Sequence, residues 1–459
     1  MEKFAFVNLL NSLITPLFTG CEIIGEEESS ARDSEVAIGS NGVLLCKMDK
    51  YDEYRIVLKR VLPFKNNDAF LVKAILSEIK TINQYHISEA GHIKNLQMYS
   101  LEKAICKSVC EYAYSTLHGL INELSLWSTR TYEGNQTTFG FIVDDAPKPS
   151  VIDFDNVCNN LHYTKILSKD FSALLSDGKT SCIELNGEGF MVGHITIPQL
   201  GFADTCGPFD YVNMAHQCYV NRIGLALLPN GDMLIFKEQE LVFAKRRGQW
   251  NCFSHDEVMA KLAVKPTEQN YDLRKSIYLT ALDTSFTKTG GCIVLLKKEN
   301  SLNVLNHIDC FDIVNEEYYE EKRKLQAELI ENSSDIDELL NFQETYRDSF
   351  EEFKNSAKAV KINSLNKIIN GRKFNELSRV LRQELVGIDG ATIVDSDGDI
   401  VAVGAIIKID AGSTGGGRLA AAKQLSHYGV AMKISADGVI EGYAYDKATQ
   451  SAKAIFSAG

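Results

Sequence analysis

Gly387 to Gly438 reads GIDGATIVDSDGDIVAVGAIIKIDAGSTGGGRLAAAKQLSHYGVAMKISADG, and the character of the whole chain turns on it. A helix ends near Gly387, followed by Asp389-Gly390-Ala391 and a short apolar strand. An Asp397-Gly398 turn then predicts a hairpin into a second apolar strand over Ile400 to Ile409. Next comes a loop holding Gly412, Gly415, Gly416 and Gly417, and a helix of small residues that begins near Arg418. A last strand closes on Ser435-Ala436-Asp437-Gly438. In a loop of this kind, glycines let successive N–H groups turn toward one point without Cβ obstruction. The helix Leu419 to Leu425 aims the positive end of its dipole at the same place. Arg418 at the helix start adds a planar, bidentate cation, so the pattern is one that holds phosphate.

Two common phosphate motifs are excluded. No Gly-Lys-Ser/Thr follows the glycines, and no strand–Gly-x-Gly-x-x-Gly–helix unit with a downstream acid is present. Asp395, Asp397 and Asp399 alternate as in a calcium loop. They lack the acid at the twelfth position and lie between two apolar runs, so they read as a hairpin turn.

Working outward, Phe374 to Val386 predicts the helix before Asp389, and Leu273 to Phe286 predicts another before the buried strand Gly291-Cys292-Ile293-Val294-Leu295-Leu296. Between that strand and Phe374 lies Glu316 to Asn370, rich in Glu, Lys, Leu and Tyr and without proline. The charge spacing of Glu317 to Leu325 suits an exposed helix, and the stretch predicts a protruding helical hairpin.

The same landmarks occur earlier. Phe139 to Val143 reads as a buried strand. Ser181 to Gly187 resembles Ala391 to Gly398, and Arg222 to Gly231 resembles His427 to Gly438. The spacing is 42 residues from Ile183 to Leu225 and 37 from Ile393 to Val430. One α/β fold used twice accounts for this order. In the earlier copy Lys179-Thr180-Ser181 stands in the place of Asp389-Gly390-Ala391, and no glycine-rich approach precedes Arg222. Lys245-Arg246-Arg247 after it is a basic cluster, and Cys206 with His216 is at most a chance nucleophile pair.

Residues 1 to about 120 carry no recognisable chemistry. Val36 to Met48 predicts a hairpin at Ser40-Asn41-Gly42, and Ala69 to Tyr85 and Leu101 to Leu120 have helical spacing. Cys106 and Cys110 read as two buried thiols on one helix face rather than a zinc pair.

The 459 residues are too many for one core. A net charge of −13 argues against a general nucleic-acid binder. The eleven scattered cysteines do not form a secreted disulfide framework, and neither a signal peptide nor an 18-residue apolar run is found. The expectation is a cytoplasmic protein with no membrane or nucleic-acid partner.

Taken together, Asp389-Gly390-Ala391, Gly415 to Ala421 and Ser435 to Gly438 resemble the diadenylate cyclase domain of the DNA-integrity-scanning family. Ile277 to Phe286 resembles its opening helix and Cys292 to Lys297 its first strand. The resemblance implies a mixed central sheet flanked by helices. Its boundaries are a region 1–120, a degenerate sensor-like copy over 121–255, and a catalytic copy over 268–459 with a helical insertion at 316–370. It implies that two ATP are condensed, with Mg²⁺ or Mn²⁺, into cyclic di-AMP or a related second messenger plus pyrophosphate.

By the same resemblance Asp389 is the acid beside the ribose 3′-hydroxyl, as metal ligand or base. Gly390 and Ala391 admit the ribose and base, and Thr414, Gly415, Gly416, Gly417 and Arg418 hold the triphosphate. Ser435 and Asp437 lie near phosphate or metal. Two such domains must face each other, so a homodimer or larger homo-oligomer is implied. This chain departs from the family where Gly417-Arg418-Leu419 replaces an Arg-His-Arg triplet. In a desolvated site, the absence of each charged phosphate partner costs about 1.5–3 kcal/mol. Lys408 and Lys423 are candidate replacements. A nucleotide or cyclic-dinucleotide sensor without turnover is the alternative reading, and a scaffold built on the insertion is a third.

Overall fold

The computed structural model describes residues 3–49, 51–83, 90–147, 161–199, 204–263, 270–309, 312–331, 357–409 and 416–459. They divide into two compact units, Met1–Ser254 with Ala458–Gly459, and His255–Ser457. Both are mixed α/β, with mixed sheets flanked by helices.

In the first unit, α1 (Lys3–Leu9) runs into a π-helical turn, and β1 (Glu22–Glu28), β2 (Val36–Ile38), β3 (Leu44–Cys46) and β4 (Tyr54–Lys59) form an antiparallel sheet in the order β1-β4-β3-β2. The Ser40–Gly42 turn makes the expected β2–β3 hairpin, with Asn41 in the left-handed region at φ 59°. Three helices follow, α2 (Asn66–Asn83), α3 (Ala90–Val109) and α4 (Tyr114–Trp127).

The continuous helical spacing of Leu101 to Leu120 is therefore broken in the structure, and the cause is one carboxylate. Asp145 accepts the backbone N–H groups of Glu111, Tyr112 and Ala113 at 2.7, 2.8 and 2.7 Å. It thus satisfies donors at the start of α4 and fixes a new helix there. Residue 120 falls inside α4, and the core of this unit runs without interruption from Phe6 to Trp250.

The second sheet of this unit is built from β7 (Phe139–Asp144), β8 (Ser181–Leu185), β9 (Met191–Thr196), β10 (Arg222–Leu227), β11 (Met233–Lys237), β12 (Glu240–Arg246) and β13 (Gln249–Cys252), after a two-residue ribbon β5 (Thr131–Tyr132) and β6 (Asn135–Gln136). Its order is β13-β12-β11-β10-β7-β8-β9, parallel only between β7 and β8. Short helices α5 (Tyr163–Leu167) and α6 (Val212–Gln217) precede β8 and β10. The basic cluster at the end of β12 is structural. Lys245 pairs with Glu102 at 2.7 Å, Glu102 also accepts from Trp250 Nε1 at 3.0 Å, and Arg246 is buried.

The second unit opens with α7 (His255–Lys261) and α8 (Tyr271–Thr287), which leads into β14 (Gly291–Leu296). All six residues of β14 are buried, as expected of a central strand covered on both faces. In α8 the polar residues facing the core return hydrogen bonds to their own helix: Thr280 Oγ1 donates to Ser276 O at 2.7 Å and Thr284 Oγ1 to Thr280 O at 2.8 Å.

The insertion contributes α9 (Glu316–Glu331) and α10 (Ala357–Ile369); residues 332–356 lie outside the described residues. Its described part is less of an excursion than the charge pattern suggests. Tyr318 Oη donates to Asp395 at 2.8 Å, the buried Lys322 donates to Leu305 O at 2.5 Å, and Tyr319 and Leu325 pack on the core. Only the outer face, with exposed pairs such as Arg323–Glu320, behaves as a solvated helix.

The expected helix Phe374 to Val386 divides into a 3₁₀ turn at Phe374–Glu376 and α11 (Arg379–Gly387), because Ser378 caps the latter by accepting Leu381 N–H at 3.3 Å. Then come β15 (Ala391–Val394), β16 (Ile400–Ala405), α12 (Gly417–Leu425), β17 (Gly429–Ile434), β18 (Ile440–Asp446) and β19 (Ser451–Ala458). The strand expected over Ile400 to Ile409 ends at Ala405. The sheet order is β16-β15-β14-β17-β18-β19, with β14 and β15 parallel and β16 and β17 antiparallel to their neighbours. Six strands of the first unit's larger sheet, from β9 across to β12, follow the same order with the same parallel pair.

Candidate functional site

The parallel pair decides where the sequence motifs come together. Cys292 in β14 lies opposite Ala391 in β15, Gly291 opposite Ile434 in β17, and Ala391 opposite Ala405 in β16. One end of the sheet therefore carries the starts of β14 and β15 and the ends of β16 and β17. Asp389, Gly390, Thr289, Gly290 and Ser435 all gather there.

Asp389 is presented by a tight turn. Ile388 N–H donates to Leu385 O at 3.3 Å as α11 ends, and Thr392 Oγ1 donates to the same carbonyl at 3.2 Å. Helix α11 is itself fixed to α8 by a buried ion pair. Arg379 Nε and Nη2 reach Asp283 Oδ2 and Oδ1 at 2.6 and 2.9 Å, both side chains being 1% exposed. Gly390 follows with φ 110°, and a Cβ there would lie 2.5 Å from Gly404 O and 2.8 Å from Ala405 N. Only glycine allows the turn to lie this close to the end of β16. The Asp389 carboxylate is exposed and makes no hydrogen bond or ion pair among the described residues.

Arg418 stands in the first turn of α12. A Cβ on Gly290 would lie 2.7 Å from its Nη1, and Nη2 donates weakly to Thr289 O at 3.4 Å. The guanidinium thus sits at the start of β14, one strand from the turn that carries Asp389. Its charge opposes the burial that pushes the Cys292 thiol up to about 12. Among the described residues nothing covers the helix N-terminus beside it. Gly416 caps it at φ 89° with no side-chain hydrogen bond, and a Cβ on Gly416 or Gly417 would meet nothing within 4 Å. Ala420, Ala422 and Leu425 are buried, so small side chains let α12 pack closely on its surroundings. Thr414 and Gly415, like Gly412, lie outside the described residues.

Ser435 ends β17 beside this group, half-buried, in a turn closed by Gly438 N–H to Ser435 O at 2.9 Å. Asp437 is exposed in that turn and accepts Val439 N–H at 3.4 Å. Two strand spacings separate the β17–β18 turn from the Asp389 turn, roughly 10 Å. That is wider than neighbouring ligands of one small cation, whose bonds are about 2.1 Å long. Among the described residues no group of three His, Cys, Asp or Glu converges as a metal cage. Asp395 accepts the Asp397 and Asp399 N–H groups at 2.9 Å each, so the acidic triplet is the expected hairpin turn.

Neither lysine proposed as a replacement cation is seen at this end of the sheet. Lys423 occupies the last turn of α12, and Lys408 is tied to His307 through its backbone, N–H to O at 3.0 Å. A different lysine is there, and no local motif marks it. Lys361, in the α10 sequence AKAVKINSLNKII, reaches the place where Gly390 meets Gly404. A Cβ on Gly404 would lie 2.7 Å from Lys361 Nζ and 2.9 Å from Asp389 O.

At the corresponding end of the first unit's larger sheet the charged groups are paired with one another and with backbone amides. Asp177 accepts N–H groups from Lys179, Thr180 and Ser181 at 2.8, 2.7 and 3.1 Å. Burial would raise its pKa, but these donors prevail and hold it below the usual carboxylate range. Lys179 pairs with Asp210 beside it, while the Arg222–Glu184 pair lies at the opposite end of the sheet, where β10 starts and β7 ends. Cys206 is buried rather than presented as a nucleophile.

Among the described residues no helix is long and apolar enough to cross a membrane. No family model, curated protein or solved structure matches this chain.

Proposed function

We propose that the second unit is a nucleotidyltransferase of the diadenylate cyclase type, acting on ATP. The reading is supported above all by the convergence of a carboxylate, Asp389, and a guanidinium, Arg418, at one end of one sheet beside a helix N-terminus, neither side chain forming an ion pair among the described residues. A helix N-terminus and an arginine suit a triphosphate. A carboxylate one strand away suits a ribose hydroxyl that must lose its proton to attack.

In this reading the Gly416 and Gly417 amides and Arg418 bind the phosphates and stabilise the charge on departing pyrophosphate. Asp389 orients the 3′-hydroxyl, and Gly390 leaves room for the sugar. A divalent Mg²⁺ or Mn²⁺ would lower the charge barrier of the transfer, held by Asp389 together with triphosphate oxygens and water. Ser435 adds a hydroxyl at the edge of the phosphate position, whereas Asp437 shapes the β17–β18 turn. Two such sites must face each other to close a cyclic dinucleotide, so the active form is a homodimer or larger, in the cytoplasm.

Incubating the full chain with ATP and Mn²⁺, alone and with competing GTP, and resolving the products by mass spectrometry tests this. A cyclic dinucleotide and pyrophosphate are expected, falling roughly 10²-fold or more in Asp389→Asn. No dinucleotide from the native chain, or equal amounts from both, would remove the assignment.

One feature favours a second reading. Gly417-Arg418-Leu419 offers one cation where the family it resembles has more. A receptor that binds ATP or a cyclic dinucleotide without turnover would show calorimetric binding and no pyrophosphate.

A further inference from the structure

The insertion does more than decorate the sheet. Helix α10 brings the half-buried Lys361 to the one place where the Asp389-Gly390 turn and the end of β16 touch. The ammonium and the Asp389 carbonyl oxygen lie 2.7 and 2.9 Å from the same point, the position of a Gly404 Cβ, and are therefore within about 6 Å of each other. Lys361 is not consumed by its surroundings. Among the described residues it forms no ion pair, and its one hydrogen bond, to Gly404 O, is long at 3.5 Å. An ammonium carries three donors, and a single distant carbonyl leaves the others free for solvent or for an anion.

The core side of the insertion explains how the lysine is held. Leu365 and Ile369, four and eight residues further along α10, are buried, on the helical spacing that places them on the same face. The chain leaving β16 is tied down as well, with Ile406 N–H donating to the buried Asp312 at 3.2 Å.

We infer that Lys361 is a phosphate-binding residue of the proposed nucleotide site, supplied by the insertion to the Asp389 side while Arg418 serves the α12 side. This rests on the reading of the site given above and deepens it. It makes the insertion part of the site, and it supplies from outside the sheet a cation that the Gly417-Arg418-Leu419 stretch lacks.

Calorimetry on the full-length chain with Mg²⁺ tests it, using ATP and adenosine as separate ligands and Lys361→Ala and Lys361→Arg as variants. A lysine that touches phosphate predicts that Lys361→Ala weakens ATP about tenfold, a typical loss for a hydrogen bond to a charged group. Adenosine affinity should stay unchanged, and Lys361→Arg should recover most of the ATP affinity. Equal ATP binding by the native chain and Lys361→Ala overturns the inference while leaving the site in place. A parallel loss of ATP and adenosine overturns it too, since that is a structural role. A native chain that binds neither ligand overturns both the inference and the site.

Discussion

The two larger sheets of this protein run the same course and end in different chemistry. In each, a helix leads into a central strand, a parallel neighbour follows after a further helix, and antiparallel strands complete both sides. At the matching end of the first unit's sheet the ionic groups are spent internally: Asp177 on three backbone amides and Lys179 on Asp210. At the end of the second unit's sheet Asp389, Arg418 and Lys361 carry no ion pair among the described residues. The strand order thus provides a location, and a few residues in the turns decide whether it is a structural seal or a place for a ligand.

The supports behind the two ends differ as well. In the first unit α5 fits against α4 by shape: a Cβ on Gly119 would collide with the Tyr163 hydroxyl. In the second unit α11 is held to α8 by the buried Arg379–Asp283 pair. Asp283→Ala strands a buried guanidinium and should cost the second unit about 3–5 kcal/mol, whereas replacing both partners with apolar residues of similar volume should restore most of it. Hydrogen exchange in β14 peptides, compared between the single and double variants, reads this. If the single variant exchanges like the native chain, the ion pair is not what fixes α11.

Gly390→Ala forces a side chain into the backbone of Gly404 and into an unfavourable φ, for an expected loss of about 1–3 kcal/mol seen as a lower unfolding midpoint. The Asp177 turn should respond to acid. Its pKa is lowered in the folded state, so its contribution is present above the ordinary carboxylate range and is lost as pH falls below about 4. Asp177→Asn should remove that part of the acid dependence in urea unfolding curves recorded between about pH 5 and 3. Asp389→Asn gives the smallest change, within about 0.5 kcal/mol of native stability, because the side chain is exposed and unpaired among the described residues. A larger loss would make Asp389 a structural turn residue like Asp177.

Much of this arrangement is legible in the chain itself. The unbroken apolar run Gly291 to Leu296 marks a strand buried on both faces, and the Asp-Gly and Asn-Gly turns mark the hairpins beside it. Asp389-Gly390-Ala391 and Gly417-Arg418 are readable because each has a local physical reason. What is not readable depends on distant partners. The break between α3 and α4 needs Asp145, more than thirty residues away, and nothing near Glu111 announces it. Helix α8 is readable, but the buried partner of its Asp283 stands 96 residues further on. Lys361 sits in an unremarkable helix, and only the fold brings it to the meeting point of Gly390 and Gly404.

If Asp389 and the start of α12 enclose one nucleotide while the charged groups at the matching end of the first unit's sheet are spent internally, both halves should show in hydrogen exchange recorded with and without ATP and Mg²⁺. Peptides covering 388–392 and 416–420 should slow together, and those across 177–183 should not change. Protection at 177–183, or at only one of the two second-unit segments, would mean that the two turns do not share a ligand.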